Sequence, residues 1–316
     1  VVKIIVTGGA GFVASHVADA YVERGHDVVV LDDLSRGKKE NINPRCRFYE
    51  CDIRDTAAVQ RVFRSEKPDI VNHHAAQMDV RRGVKEPLFD AQVNIFGSIN
   101  LIEAALTNGA KRFIYAATAG AGYGEPREIP VAEDYPVNPI TPYGISKHTV
   151  EHYLFTFHFL YGLEYVALRY GNVYGPRQNS QGEAGVFAIF SEQMLAGIEP
   201  VIYGDGSKIR DYVFIADVAA ANAAALERGT NEIFNISSGI ATTDLEVFET
   251  VRDLLGANAH PKHVPRRPGE IDRITLDISK AERLLGWKPA VTLSEGARIT
   301  VASFQDRGAQ SVKGIS

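Results

Sequence analysis

Cysteine, methionine and tryptophan are scarce in these 316 residues, which contain two, two and one of them. Two cysteines cannot build the dense disulfide framework of a small secreted scaffold. Cys46 and Cys51 lie five apart in CRFYECDI, which alternates like a strand, so their side chains point to opposite faces. That geometry suits neither a disulfide nor a two-ligand metal grip. No metal is expected, and two plain buried thiols fit a reducing cytoplasm. A cationic surplus is also missing. Lys plus Arg number 34 against 39 Asp plus Glu, a net charge of −5, which argues against nucleic-acid binding by bulk charge. No apolar run approaches the roughly 20 residues of a membrane-spanning helix. The opening VVKIIVTGGAGF turns glycine-rich too soon for a secretory signal. Repeats, low-complexity tracts and Ser/Gly linkers are absent as well. What is present, 45% hydrophobic and 23% charged residues, is ordinary globular composition, and the length allows about two domains or one with a sizeable lobe.

The first 120 residues alternate strand and helix signals. Strands are expected at 2–7, 27–32, 46–51, 69–73 and 111–117, and helices at 11–24, 56–66 and 88–108. This alternation implies an α/β fold, a doubly wound parallel sheet with helices on both faces. The segment 118–142 reads as a long loop, 142–161 as a helix and 164–169 as a strand. Beyond 170, Gly/Pro punctuation and RLLGWKPA suggest a smaller C-terminal lobe. The expected division is 1–170, receiving segments near 211–236, and 171–316.

TGGAGFVA at 7–14 follows the first strand and opens a helix. Gly8 and Gly11 let the backbone approach a pyrophosphate, and the free N–H groups of a helix beginning at Phe12 and Val13 stabilise it. Ala14 is small enough for close packing, and Asp32 ends the second strand about 20 residues on. A carboxylate there accepts hydrogen bonds from ribose hydroxyls and repels a 2′-phosphate, and Asp33 follows it. NAD is therefore favoured over NADP, although Arg36, Lys38 and Lys39 lie nearby. Tyr143 and Lys147, in TPYGISK, are four apart and share one helix face. An ammonium beside a phenol lowers its pKa from about 10 and makes it a proton-transfer group. Thr118 ends the strand RFIYAAT, where doubly wound sheets place their sites. Isolated, each of these patterns also arises as ordinary packing or an exposed helix pair; together, in this order, they point to redox chemistry on a bound substrate.

At these residues the chain resembles the extended short-chain dehydrogenase/reductase family, and within it the UDP-galactose (UDP-glucose) 4-epimerases. The shared text runs nearly end to end: TGGAGFVASH, HHAAQ, VNIFGSINLIEAA, TPYGISK, RYGNVYGPRQ, GDGSKIRDYVFIADVA, FNISSG and RRPGE. The resemblance implies a Rossmann-type domain binding NAD and a lobe binding a nucleotide sugar. It implies that Thr118 hydrogen-bonds the sugar 4-hydroxyl, Tyr143 takes its proton, and Lys147 holds Tyr143 and the nicotinamide ribose. The Asp33-Leu34-Ser35 turn and Gly37 would enclose the cofactor with Asp32. Asp52 and Ile53 would border the adenine, and Ala75, Ala76, Gln77 and Asn94 would belong to the cofactor cleft. Tyr170 and Val173 would lie near the nicotinamide. Asn172, Arg210 and Arg267 would contact the diphosphate, Tyr203 the uracil, and Glu270 the nucleotide ribose. Ile274, seven residues on from Arg267, matches the position flanking the sugar's 2-substituent.

Departures from the usual text are informative. Ala116 and Ala117 stand where serines are common, and His74 where an apolar residue is. Gly171 replaces a bulkier residue, which would enlarge the pocket. After Thr118 comes Ala119-Gly120, where the related 4,6-dehydratases carry Asp-Glu. The expected activity is NAD-dependent 4-epimerisation of a UDP-hexose through a 4-keto intermediate. UDP-glucuronate or other nucleotide-sugar epimerisation, and net oxidoreduction, are the alternatives. The helices at 88–108 and 142–161 are apolar beyond the stripe their own core needs, so a two-fold homodimer pairing them is expected, as the family also implies.

Overall fold

A computed structural model describes residues 1–180, 185–266 and 271–313 of the chain. Its centre is a seven-stranded parallel sheet. The strands are β1 (Lys3–Thr7), β2 (Asp27–Asp32), β3 (Arg47–Glu50), β4 (Ile70–His73), β5 (Arg112–Thr118), β6 (Glu164–Tyr170) and, from the second half of the chain, a strand at Glu232–Ile236. The spatial order is Glu232–Ile236, β6, β5, β4, β1, β2, β3. The chain thus winds outward from β1 in both directions, and β1 and β4 flank the point where it reverses. Ligands bind such sheets at the C-terminal strand ends beside that point.

The pleat explains why both faces are covered. Ile4, Val6, Val28 and Val30 enter one apolar cluster, while Ile5, Val29 and Leu31 enter another. The first is completed by α1 (Phe12–Glu23), through Val17, Ala18, Tyr21 and Val22. The second is completed by α2 (Thr56–Glu66) and, further along the chain, by Val150 and Leu154. Between them, the helix expected at 88–108 is a compound element. It comprises α3 (Pro87–Ala91), a π turn at Gln92–Phe96 and α4 (Gly97–Thr107). The helix expected at 142–161 is α5 (Pro142–Tyr161). Thr141 caps it by accepting from Gly144 N at 3.2 Å, Pro142 opens its first turn, and Gly162 closes it with φ 74°.

The long loop expected at 118–142 contains one short helical turn, Gly120–Tyr123. Beyond residue 170 the described strands are β7 (Asn172–Tyr174), β8 (Val201–Tyr203), β9 (Ile209–Phe214), β10 (the Glu232–Ile236 strand of the main sheet), β11 (Ala241–Thr243) and β12 (Lys262–Val264), four of them only three residues long. A small third cluster of Ala119, Tyr123, Val131, Ile274 and Leu276 joins this region to the end of β5. Cys46 and Cys51 flank β3 as free thiols; Cys51 is buried, but Cys46 only partly, because it lies in the turn before the strand.

Candidate active site

The Gly-rich turn closes directly on the end of β4. Gly8 has φ 71°, and a Cβ there would stand 2.8 Å from Ala75 N, so both conformation and space require glycine. Gly11 is the N-cap of α1 and supplies no side-chain cap, so the first-turn N–H groups at Phe12 and Val13 are presented as an anion site. The Phe12 ring itself is buried in the core. Asp32 accepts from Ala10 N at 3.0 Å on one oxygen and from Leu34 N at 2.8 Å on the other. Each oxygen keeps a lone pair for a hydroxyl donor. Burial pushes this carboxyl up, and the two N–H bonds oppose the rise. Gly37 packs over it, since a Cβ there would lie 2.6 Å from Ala10 Cβ and 2.9 Å from Asp32 Oδ1. Asp33 accepts from Ser35 N and Ser35 Oγ, which fixes the turn. Nearby cations have protein partners: Arg36 pairs with Asp79 at 3.5 Å and Lys38 with Glu40 at 3.6 Å. An uncapped helix start, a glycine turn and a carboxylate with open lone pairs fit a dinucleotide whose ribose lacks a 2′-phosphate.

At the end expected to border the adenine, Arg54 donates to Asp52, whose carboxyl is held below its usual range chiefly by that bond. Ile53 is buried against Gly97, and Asn100 donates to its carbonyl at 2.7 Å. Ala75 and Ala76 follow β4, half-buried. The Asn94 side chain is spent on the Gln77 backbone, accepting from Gln77 N and donating to Gln77 O, both at 2.8 Å. A directed hydrogen-bond chain holds the same loop. His74 N and Ala75 N donate to Thr7 Oγ1, each at 3.2 Å. Ser98 Oγ donates to Asn94 O at 2.6 Å, so it accepts from His73 Nε2 at 2.8 Å, which leaves His73 Nδ1 to accept from Thr7 Oγ1 at 2.7 Å. Burial keeps His73 neutral, as this chain requires.

Thr118, Tyr143 and Lys147, the residues expected to react, lie around the next strand end. Thr118 closes β5, Tyr143 stands in the first turn of α5, and Lys147 follows one turn later. Lys147 is only 4% exposed. Its Nζ donates to Ala116 O at 2.8 Å and lies 4.7 Å from the centre of the Tyr115 ring. Burial pulls the ammonium down to about 8, against the opposing pull of Asp90 and Glu151. The alanines at 116 and 117 thus leave this anchor intact, because the acceptor is backbone. Tyr170, at the end of β6, is locked by Asn222 Nδ2 at 2.8 Å and by His74 Nε2 at 3.1 Å. His74 is therefore a packing partner of Tyr170, stacked at 5.9 Å. Asn172 and Val173 follow on β7, partly exposed.

Of the residues expected to hold the sugar nucleotide, Tyr203 closes β8 and Arg210 lies on β9. The Arg210 guanidinium braces the carbonyls of Ile209 and Ile271, each at 2.8 Å. Arg267 and Glu270 lie outside the described residues. Ile274 is 3% exposed in the third cluster, beside Ala119. The expected enlargement at Gly171 is not there. A Cβ at this position would lie 2.1 Å from Ser237 Oγ and 2.8 Å from Asp211 O, so the glycine admits a neighbouring strand rather than a ligand. Sequence reasoning passed over Thr7, His73, Asp90 and Ser146. The only signal for Asp90 is a lone carboxylate in the apolar run LFDAQVNIF.

A sheet reversing between β1 and β4, a dinucleotide cradle at that point and a Thr/Tyr/Lys group on the adjoining strand end define a nucleotide-dependent redox enzyme of the short-chain dehydrogenase/reductase type. Residues 4–237 match the NAD dependent epimerase/dehydratase family, and the chain belongs to it. It is 41% identical over 311 residues to a UDP-glucose 4-epimerase of Mycolicibacterium smegmatis, covering 96% of this chain and 99% of the relative. Among solved structures it is similar to the UDP-glucose 4-epimerase of Thermotoga maritima with UDP-glucose, at 47% identity, TM-score 0.95 and coverage of 96% and 99%. It is also similar to the Thermus thermophilus UDP-glucose 4-epimerase in complex with NAD, at 42% identity, TM-score 0.92 and the same coverage.

Proposed function

We propose that this protein interconverts UDP-glucose and UDP-galactose by NAD-dependent 4-epimerisation through a 4-keto intermediate. Bound NAD supplies a reversible hydride acceptor. The chain does the rest. Thr118 orients the sugar 4-hydroxyl, Tyr143 as phenolate removes its proton and later returns it, and the buried charge of Lys147 stabilises that phenolate. Asn172, Tyr203, Arg210, Arg267 and Glu270 hold the UDP moiety, a role suited to planar guanidinium groups at phosphates, and leave the keto sugar free to turn. Residues 1–170 serve the cofactor and 171–316 mainly the nucleotide sugar.

The observation that carries this reading is the pair following Thr118. Ala119 and Gly120 cannot move protons, so elimination of water has no acid or base there, and return of hydride to the other face of C4 is the plainest remaining outcome. Incubation of the purified protein with a panel of UDP-sugars and no added cofactor tests it. Inversion at C4 without net reduced cofactor is expected; accumulation of a keto sugar, or an unchanged panel, would overturn the reading.

The working unit is a two-fold homodimer. Phe155, Phe159, Leu160 and Tyr161 on α5 are exposed, Phe159 by 77%, as are Leu88 (80%) and Phe96 (65%) on the preceding helical run. Isolated apolar residues on a surface are ordinary, but this many on adjoining helices make a patch that a second copy would bury. Sedimentation showing only monomer at micromolar concentration would contradict it. Two free thiols, both raised to about 11 chiefly by burial, support a cytoplasmic setting.

A further inference from the structure

Two carboxylates are buried near Lys147, and their partners differ. Glu151 is closed by Arg169, which donates from Nε at 2.9 Å and from Nη2 at 2.7 Å, with His148 Nδ1 at 2.9 Å. Its charge is matched in place. Asp90, on α3, is wholly buried, with 0% exposure. Its Oδ1 accepts from Ser146 Oγ at 2.6 Å and its Oδ2 from Gln77 Nε2 at 3.0 Å. Both donors are neutral. A buried carboxylate without a contacting cation is expensive to keep ionised unless a positive charge lies within reach. Among the described residues, the other charged and titratable groups near Lys147 are Tyr115 on β5, Glu151 on α5 with its partner Arg169 on β6, and His73 and His74 at the end of β4, with Tyr143 one turn earlier on α5. Arg82, on the short helix before α3, is turned to Glu86 and the Phe89 ring. Lys147, buried and next in the chain to the Ser146 that bonds Asp90, is the cation on this side of the carboxylate, and Asp90 opposes the lowering of its ammonium pKa.

The two hydrogen bonds also have direction. Ser146 immediately precedes Lys147 on α5, and Gln77 belongs to the loop after β4 that faces the dinucleotide cradle. Gly83 lets the neighbouring turn close on the same carboxylate, since a Cβ there would lie 2.9 Å from Asp90 Oδ2. We propose that Asp90 is a positioning residue. It clamps the reactive helix to the cofactor loop through Ser146 and Gln77, and it offsets the buried ammonium charge of Lys147. The catalytic consequence rests on the proposed epimerase reading; the charge effect on Lys147 does not.

Asp90→Asn keeps the volume, removes the charge and turns one acceptor into a donor facing a donor. Two readouts separate the parts. NMR titration of Lys147 in lysine-labelled, NAD-bound protein needs no substrate. The expected result is a Lys147 midpoint lower than wild type by roughly one pH unit in the variant. An unmoved midpoint overturns the charge role, whatever sugar the enzyme uses. For the reaction, kcat is expected to fall at least about tenfold with KM nearly unchanged, and the alkaline limb of kcat to move to lower pH. Ser146→Ala retains the charge and cuts only the clamp. It should lower kcat several-fold and leave the Lys147 midpoint in place. Wild-type kcat in Ser146→Ala overturns the clamp, and that test stands even if Asp90→Asn does not fold.

Discussion

The two sides of the proposed cleft, one for the cofactor and one for the sugar, are built from different materials. On the cofactor side the contacts are largely backbone: the glycine turn after β1, the open first turn of α1, and the loop after β4 tied down by Thr7, His73, Ser98 and Asn94. On the proposed sugar side they are side chains on the strands β7, β8 and β9 and on connecting segments, with Arg210 and Ile274 held among lobe residues. A backbone site is fixed by where strands end, so it comes with the sheet. A side-chain site is fixed only when its lobe packs. The first half should therefore fail through conformation and the second through shape.

The reactive group joins the halves, and its loss is expected to be largest. Tyr143→Phe keeps the aromatic volume and removes the proton acceptor, so kcat should drop by ~10²–10⁴-fold with folding and NAD content unchanged. Near-normal turnover would remove Tyr143 from the role. Gly8→Ala strikes the backbone side. A side chain at φ 71° against Ala75 N is strained by ~1–3 kcal/mol, equivalent to roughly 5–150-fold in affinity. Co-purified NAD should fall accordingly; full NAD content in this variant would show that the turn does not set the cradle.

The pH dependence follows from Lys147. It is charged below about 8 and neutral above it. Support of the Tyr143 phenolate is therefore complete at lower pH and lost as pH rises through that value. In the NAD-bound enzyme kcat should decline toward about tenfold per pH unit above it. A flat profile there would mean that the charge of Lys147 is not needed.

The smallest effect belongs to the sugar side. Ile274→Ala opens space beside Ala119 and should leave NAD content unchanged. It should raise kcat/KM for N-acetylated UDP-hexoses relative to the plain sugars by roughly five-fold, the equivalent of ~1 kcal/mol of relieved crowding. An unchanged ratio would leave Ile274 as a lobe-core residue alone. If it lowered NAD content instead, the two sides would not be separable.

The same contrast explains what was legible beforehand. VKIIVT, DVVVLD and RFIYAAT read as strands because apolar residues serve both faces of a parallel sheet, and the Gly and Asp residues at their ends carry the cradle. The π turn at Gln92–Phe96 was hidden: an extra residue rotates the following positions by about 100°, but this helical run is apolar on more than one side, so the shift leaves no visible break in the pattern. Gly171 was misread as open space. What demands it is Ser237, 66 positions further on in the chain, and no local pattern reports a neighbour that distant. Asp90 stayed silent for a related reason: its partners, Ser146 and Gln77, come from two other segments.

The central claim is that hydride leaves C4 and returns to the same carbon on its other face. UDP-galactose deuterated at C4, incubated with the purified protein and no added cofactor, tests this most directly. UDP-glucose that retains the deuterium at C4 is expected. Loss of the label to solvent, or its appearance in free reduced cofactor beside a keto sugar, would contradict it.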